Sequence, residues 1–94
     1  MLSASPIELK NLKKEEINKE ILRLAIIAEL DAVSLYEQMA EMATSDSIKK
    51  VLADVAKEEK THVGEFSALL LKEDGQQKSE MDNGRKEVEE LTEN

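Results

Sequence analysis

The chain has 94 residues, contains no cysteine and carries a formal net charge of −8 at pH 7. The lack of cysteine excludes disulfides, thiolate metal sites and thiol catalysis. The acidic balance argues against nucleic acid as a partner, since nucleic acid is bound by clustered lysines and arginines. A domain of this length buries little surface, so we expect self-association or a bound metal to supply part of its stability.

The first residues of the sequence do not predict an export signal. Residues 1–13 precede any periodic pattern and lack the apolar core of a signal peptide, so they are interpreted as an N-terminal tail. No apolar run approaches the roughly 20 residues needed to cross a membrane. We therefore expect a soluble cytoplasmic protein without a membrane partner.

Two long helices are predicted next, over residues 15–43 and 47–73. The first segment is rich in leucine, isoleucine, alanine, glutamate and lysine, and it has neither glycine nor proline. Residues 44–46 separate the helices with natural N-cap side chains, while Asp74 and Gly75 end the second helix. A break of so few residues forces the two helices to be antiparallel neighbours.

The remainder of the chain is more polar. Residues 76–83 predict a mobile linker, and residues 84–91 predict a short third helix with Val88 and Leu91 as apolar anchors. The predicted fold class is therefore all-α, with a two-helix hairpin and a short C-terminal helix. The predicted units are a tail, the helical hairpin, and a linker with the short helix, over residues 1–13, 14–75 and 76–94.

Three ionisable residues fall on the apolar faces of the two long helices. At about 100° per residue, Glu29 lies within the apolar arc of the first helix, and Glu59 lies in the middle of the arc of the second. His62, the only histidine, follows Glu59 by three residues. A carboxylate on an apolar face must be paired, protonated or metal-bound, and a neutral imidazole accepts a metal.

A Glu-x-x-His pair alone is more often a structural pair one helical turn apart. The presence of Glu29 on the partner helix favours a metal site instead. Di-iron carboxylate bundles take one glutamate from each of two helices and a Glu-x-x-His from each of the other two. This chain has half of that set, so two copies would complete it.

A second feature predicts association independently of any metal. The first helix is apolar nearly all round, which is typical of a helix buried on more than one side. A lone hairpin cannot bury such a helix, so we expect two hairpins to dimerise into a four-helix bundle. The apolar residues outside the main arc are Leu24, Ile27, Leu30 and Leu35.

Three further residues are weaker candidates. Tyr36 lies two turns after Glu29 on the same face, where its hydroxyl could hydrogen-bond a ligand carboxylate or simply sit at the edge of a packed interface. Asp31 projects away from Glu29 and is either a solvated acid or an outer site that collects metal. Glu58, four residues before His62, is expected at the rim of the apolar arc.

The predicted ligands restrict the chemistry. Carboxylates with some imidazole suit iron or manganese, and zinc is a common competitor. Glutamates can bridge two metals roughly 3.5–4 Å apart. A pair of ferrous ions can supply two electrons to dioxygen, so the predicted reaction is oxidation of Fe²⁺ to Fe³⁺.

Two stretches, ILRLAIIAELDAVSLYEQ at residues 21–38 and DVAKEEKTHVGEF at residues 54–66, resemble the encapsulated ferritin-like proteins. The resemblance implies a di-iron ferroxidase site at a dimer interface, with two irons per dimer, held by Glu29, Glu59 and His62 of each chain. It also implies a ring of five dimers inside an encapsulin nanocompartment, where the ferric product is stored. The implied partner is an encapsulin shell protein or a fused shell domain.

The sequence departs from this family at two places. Ala28 stands where the family often has an acid beside the ligand, although Asp31 matches another acidic position on the route of metal uptake. Residues 91–94 do not resemble a cargo-loading peptide, so we expect either stand-alone cargo or a domain of a fusion. A non-enzymatic helical oligomer or adaptor and a rubrerythrin-like peroxidase are the alternative functions.

Overall fold

A computed structural model describes residues 13–93, so the predicted tail lies outside the described residues except for Lys13. Three helices make up this part of the chain: α1 (Lys14–Met42), α2 (Asp46–Glu73) and α3 (Gly75–Thr92). The prediction of an all-α protein is confirmed, and the ends of α1 and α2 fall within one residue of the predicted ends.

The turn between α1 and α2 is held by hydrogen bonds at both helix ends. Ser45 is the N-cap of α2, and its Oγ accepts a bond of 3.4 Å from the Ile48 amide. α1 has no basic residue in its last turn. Lys49 of α2 supplies a positive charge at this helix end instead. Its Nζ donates to the carbonyls of Ala40 at 3.2 Å and Glu41 at 3.0 Å. These bonds fix α2 antiparallel to α1.

The hairpin buries little apolar surface by itself. Among the described residues only Val33, Ala56 and Leu70 are buried hydrophobic side chains. In contrast, many large apolar side chains remain exposed: Ile21, Ile27, Leu30, Met42, Ile48, Val51, Leu69, Met81, Val88 and Leu91. Monomeric proteins rarely leave so many large apolar side chains exposed, so this surface favours association with another chain. Dimerisation into a four-helix bundle stays a prediction.

The C-terminal segment differs from its prediction. Residues 76–83 are not a mobile linker, since α3 begins at Gly75 and runs for 18 residues. The reason is local: the Asp74 carboxylate accepts a bond of 3.1 Å from the Gln77 amide and so caps α3 at its first turn. Asp74 also donates its own amide to the Leu70 carbonyl at the end of α2. One residue therefore separates the two helices.

The junction between α2 and α3 is tied to α1 by an ion pair. Arg23 donates from Nη1 to Glu20 and from Nη2 to Asp74, the latter at 3.0 Å. The Glu20 hydrogen bond raises the pKa of Arg23 above its usual value. The Gln77 amide, followed by Arg23, lowers the pKa of Asp74 below its usual value. This Arg23–Asp74 contact joins all three helices at one point.

The third helix projects away from the hairpin. The molecule measures 47 × 46 × 19 Å, whereas two helices packed side by side span only about 20 Å across. The second long dimension therefore comes from α3, which packs against α2 much less extensively than α1 does. Within residues 13–93, no helix is both long enough and apolar enough to cross a membrane.

Acid should weaken the α2–α3 junction through Asp74. Because the folded pKa of this carboxylate is lowered, its contribution to stability is complete above the unfolded value of about 3.9 and is lost as the pH falls through the folded value. We expect the thermal midpoint, followed by circular dichroism at 222 nm, to fall as the pH is lowered below about 4.

The matched comparison is Asp74→Asn, which keeps a capping side chain but cannot titrate. Its thermal midpoint should fall less steeply with acid than that of the wild type. Asp82→Asn, at an exposed position of α3, serves as the control and should follow the wild type. Identical acid profiles for Asp74→Asn and the wild type would contradict the assignment.

Candidate metal centre

The candidate site lies midway along the hairpin, between α1 and α2. Glu29 comes from α1, and Glu59 and His62 come from α2, where they are one helical turn apart. The antiparallel arrangement sets the middle of α1 beside the middle of α2. Glu59 and His62, which follow Glu29 by 30 and 33 positions in the sequence, thereby become its neighbours.

The donor atoms of the three side chains converge. Nδ1 of His62 lies 3.4 Å from Oε2 of Glu29 and 3.4 Å from Oε2 of Glu59. One ligand atom of each residue lies within 4.8 Å of the other two. Oxygen and nitrogen ligands bind a transition-metal ion at about 2.0–2.2 Å, so atoms at this spacing can share one ion after small side-chain movements. The structure brings the three predicted residues together; their role as ligands stays a prediction.

The three side chains of the cluster are partly buried. The side chains of Glu29 and Glu59 are 21% and 19% exposed, while His62 is 43% exposed. Oε2 of Glu29 is buried, and its 3.4 Å contact with Nδ1 of His62 is within ion-pair range but is not a hydrogen bond. A buried carboxylate oxygen without a donor costs free energy comparable to a lost charged hydrogen bond, and a bound cation would remove that cost. The residues present therefore fit a metal ion.

One chain supplies too few ligands for a complete di-metal site. Within the described residues this is the only group of three or more histidine and acidic side chains placed to hold an ion. A second copy of the same three residues would bring the set to four carboxylates and two imidazoles, which is the inventory of a di-metal bundle. The partly exposed His62 marks the side of the cluster that is still open.

The weaker candidates lie around the cluster but outside it. Tyr36 is half-buried, and within the described residues its hydroxyl forms no hydrogen bond to Glu29 or Glu59. Asp31 is half-buried and is not one of the three converging side chains. Glu58 is exposed. Their proposed roles in supporting the site or collecting metal stay predictions.

The structure also shows one polar cluster that the sequence pattern did not suggest. Glu20, Arg23 and Asp74 form it, with Arg23 between the two carboxylates. The spacing of three between Glu20 and Arg23 is a readable helical signal. Asp74 carries no such signal, because it is 51 residues from Arg23.

An antiparallel hairpin with Glu on one helix and Glu-x-x-His on the other defines half of a di-metal carboxylate bundle. Residues 20–93 match the sequence model of the family described as Rubrerythrin. The structure superposes on the crystal structure of the encapsulated ferritin domain from Pyrococcus furiosus with a TM-score of 0.84. The two sequences are 50% identical, and the match covers 100% of this chain and 96% of that one. The chain therefore belongs to the rubrerythrin family and, within it, to the encapsulated ferritin-like proteins.

Two curated relatives are longer than this chain. One is the ferritin-like–encapsulin shell fusion protein of Pyrococcus furiosus, 56% identical over 95 residues that cover 98% of this chain and 27% of the relative. The other is the uncharacterized protein YhjR of Bacillus subtilis, 33% identical over 64 residues that cover 68% of this chain and 37% of the relative. The chain thus spans about a quarter of the first relative and over a third of the second.

A divalent metal should stabilise the metal-free protein. A ligand at 100 times its dissociation constant adds about 2.7 kcal/mol when it binds only the folded state. We expect Mn²⁺ or Zn²⁺ to raise the thermal midpoint of the wild type, as measured by differential scanning calorimetry. His62→Ala should lose most of this increase, because it removes the imidazole from the cluster.

The control is Thr61→Ala, which alters an exposed neighbour on α2. It should keep the full metal-dependent increase. An increase of equal size in His62→Ala and the wild type would show that the stabilising ion binds elsewhere.

Proposed function

We propose that the protein is a ferroxidase that oxidises Fe²⁺ to Fe³⁺ at a di-iron site shared between two chains. The observation that carries this proposal is the convergence of Glu29, Glu59 and His62 around a buried carboxylate oxygen that accepts no hydrogen bond. Such a cluster is costly unless a cation occupies it. Iron is the substrate here, with two ions per dimer.

The sharing of the site between chains rests on the ligand count and on exposed apolar surface. Each hairpin has two carboxylates and one imidazole, half of what a di-iron bundle uses. On α2, Val51 is 62% exposed and Leu69 is 49% exposed, and the helical spacing puts both on the same face as His62. A second hairpin laid against this helix would cover both side chains and bring the second set of ligands to the first.

The residues of the site would each contribute to oxidation in a distinct way. Two Fe²⁺ ions would supply two electrons to one O₂, which takes up two protons to give H₂O₂, and both ions would leave as Fe³⁺. The negative charges of Glu29 and Glu59 stabilise a trivalent ion more than a divalent one, so they favour the oxidised product. A neutral His62 adds a nitrogen ligand without adding charge.

Iron would reach the site by electrostatic attraction. The chain has a formal net charge of −8, which raises the local concentration of cations near its surface. Asp31 and Glu58 are the acidic residues nearest in sequence to the cluster, and we propose them as collectors of incoming iron. Tyr36 would support Glu29 from the same face of α1.

The relatives support a proposal about where the reaction takes place. One is a ferritin-like–encapsulin shell fusion, and another is an encapsulated ferritin domain. We propose that this protein works inside an encapsulin nanocompartment in the cytoplasm, with a shell protein or a fused shell domain as its partner. Assembly of five dimers into a ring, and storage of the ferric product inside the shell, complete this proposal.

Removal of the Glu59 charge should abolish fast iron oxidation. In Glu59→Gln the side chain keeps its shape but no longer offers an anionic ligand. We expect the initial rate of ferric formation, followed by absorbance after aerobic addition of Fe²⁺, to fall at least about tenfold, as other losses in metal sites do.

The matched control is Glu65→Gln, an exposed glutamate on the same helix. It should oxidise iron at the wild-type rate. Equal rates in Glu59→Gln and the wild type would overturn the proposed site. Faster oxidation with hydrogen peroxide than with dioxygen would instead support the peroxidase that the family name suggests.

The shared site also predicts that oxidation depends on association. When the protein is diluted below the dissociation constant of the dimer, each chain keeps only half of the ligands, so the rate per chain should fall. Sedimentation velocity at the same concentrations reports the fraction of dimer. A rate per chain that is unchanged in fully monomeric protein would contradict a site made by two chains.

A further inference from the structure

The geometry of the candidate metal centre depends on how α1 is placed along α2. Glu29 comes from one helix and His62 from the other, so their separation of 3.4 Å changes whenever the helices slide or splay. Apolar contact is non-directional, and the described part of the hairpin buries few large apolar side chains. Directional polar contacts between the two helices are therefore important for the position of Glu29.

Three polar contacts join α1 to α2 away from the site. At the turn, Lys49 bonds to the carbonyls at the end of α1. Further along the hairpin, Lys60 pairs with Glu37 at 2.9 Å. At the open end, where α1 begins and α2 ends, Nη2 of Arg23 pairs with Asp74 at 3.0 Å. The metal-ligand candidates lie between the turn and this open end.

The contact at the open end differs from the other two. Near Lys49 the covalent turn already restrains the helices. Lys60 and Glu37 are 61% and 53% exposed, and pairs that are so exposed contribute little because water and salt screen them. Asp74 is only 13% exposed, and its partner Arg23 acts at the end of the hairpin farthest from the turn. Loss of this contact would therefore loosen the helices most.

Arg23 is held in place for this contact by a second carboxylate. Its Nη1 bonds to Glu20, which is one turn earlier on α1 and 12% exposed. A guanidinium is a planar fork, so a bond at one nitrogen orients the other. Without Arg23, two largely buried carboxylates would face each other, and Lys19 would attract Asp74 only through space. We expect the open end to loosen rather than unfold.

A loosening at Arg23 would reach Glu29 because both lie on one continuous helix. At about 1.5 Å per residue, Arg23 is roughly 29 Å from the end of α1 at Met42, and Glu29 is roughly 20 Å from it. If α1 pivots at the turn, a gap of about 3 Å at Arg23, the width of one water molecule, moves Glu29 by about 2 Å. Metal–ligand distances tolerate only about ±0.2 Å.

We propose that Arg23 positions the metal centre by holding the open end of the hairpin through Asp74. It thereby keeps Glu29 within reach of the ligands on α2. The inference rests on the metal site of the proposed function, although its mechanical part concerns the metal-free hairpin as well. The bonds of Arg23 go to Glu20 and Asp74, so its effect on a bound metal is indirect.

The mechanical part is tested without metal. The absence of cysteine from the chain allows two spin labels to be attached selectively, through Ala28→Cys on α1 and Thr61→Cys on α2, both at exposed positions. Pulsed electron paramagnetic resonance, on labelled chains diluted with unlabelled ones, then reports the separation of the two helices beside the site. We expect Arg23→Gln to shift or broaden this distance by about 2 Å.

Binding of Co²⁺ tests the link to the metal centre. Calorimetry gives the affinity of Co²⁺, and its visible absorption spectrum reports the coordination geometry. We expect Arg23→Gln to weaken binding at least about tenfold and to change the spectrum, because Glu29 is displaced. Arg23→Lys keeps the charge without the fork and should have an intermediate effect. Asp74→Asn keeps a capping side chain and should weaken binding in the same direction.

Two further variants are matched controls. Arg85→Gln breaks an arginine–glutamate contact of 2.7 Å that lies within α3 alone. Lys60→Gln breaks the exposed contact between α1 and α2. Each should change the affinity for Co²⁺ by less than about twofold and leave the spectrum unchanged. All variants are compared at a temperature where circular dichroism shows them to be folded.

Three results would contradict the proposal. An unchanged distance between the labels in Arg23→Gln would overturn it whether or not metal binds. Unchanged affinity and spectrum of Co²⁺ in Arg23→Gln, beside a clear loss in His62→Ala, would overturn it and leave the proposed function intact. Binding of Co²⁺ by the wild type that is no tighter than by His62→Ala would instead contradict the proposed metal site, and with it the role of Arg23 there.

Discussion

The partial burial of two acidic side chains on the inner face of the helical pair is the constraint on which the candidate site depends. Glu29 and Glu59 lie where a bundle of two long helices would normally place leucine or valine, and their charge is costly in that position. A bound divalent ion would reduce this cost, so we expect ion binding and the packing of the helices to be energetically linked.

That linkage explains why the chain is organised as an incomplete core. A closed bundle made by one chain would surround the carboxylates with its own side chains. A hairpin leaves them at an open face, with His62 almost half exposed. Completion by a second hairpin, as proposed, would add apolar contact and metal ligands in the same step. Association and metal binding would then stabilise the same face.

The sequence predicted the two long helices and singled out the three residues that the structure brings together, but it predicted only the later part of the third helix. The 3.6-residue period and the N-cap at Ser45 are local signals, so the positions of α1 and α2 were readable. Glu29, Glu59 and His62 were identified because each violates the apolar face of its helix. The beginning of α3 was missed because a hydrogen bond from the Gln77 amide to Asp74 starts it, and no apolar run marks that segment.

Distances between residues on different helices could not be predicted from the sequence, because they depend on how the helices pack. The Arg23–Asp74 contact depends on where the end of α2 lies along α1, which no local pattern encodes. The separation of 3.4 Å between His62 and Glu29 likewise depends on the relative shift of the two helices. A helix face can be computed from spacing alone, whereas the register between two faces is a property of the packed pair.

The single residue between α2 and α3 has a mechanical consequence. Asp74 ends one helix and begins the next, so there is no slack chain to absorb a change in angle. With 18 residues at about 1.5 Å each, α3 acts as a lever about 27 Å long. A rotation of about 10° at its base would move the far end by about 5 Å, roughly one helical turn. The Arg23–Asp74 ion pair lies at the fulcrum and sets the direction in which this lever points.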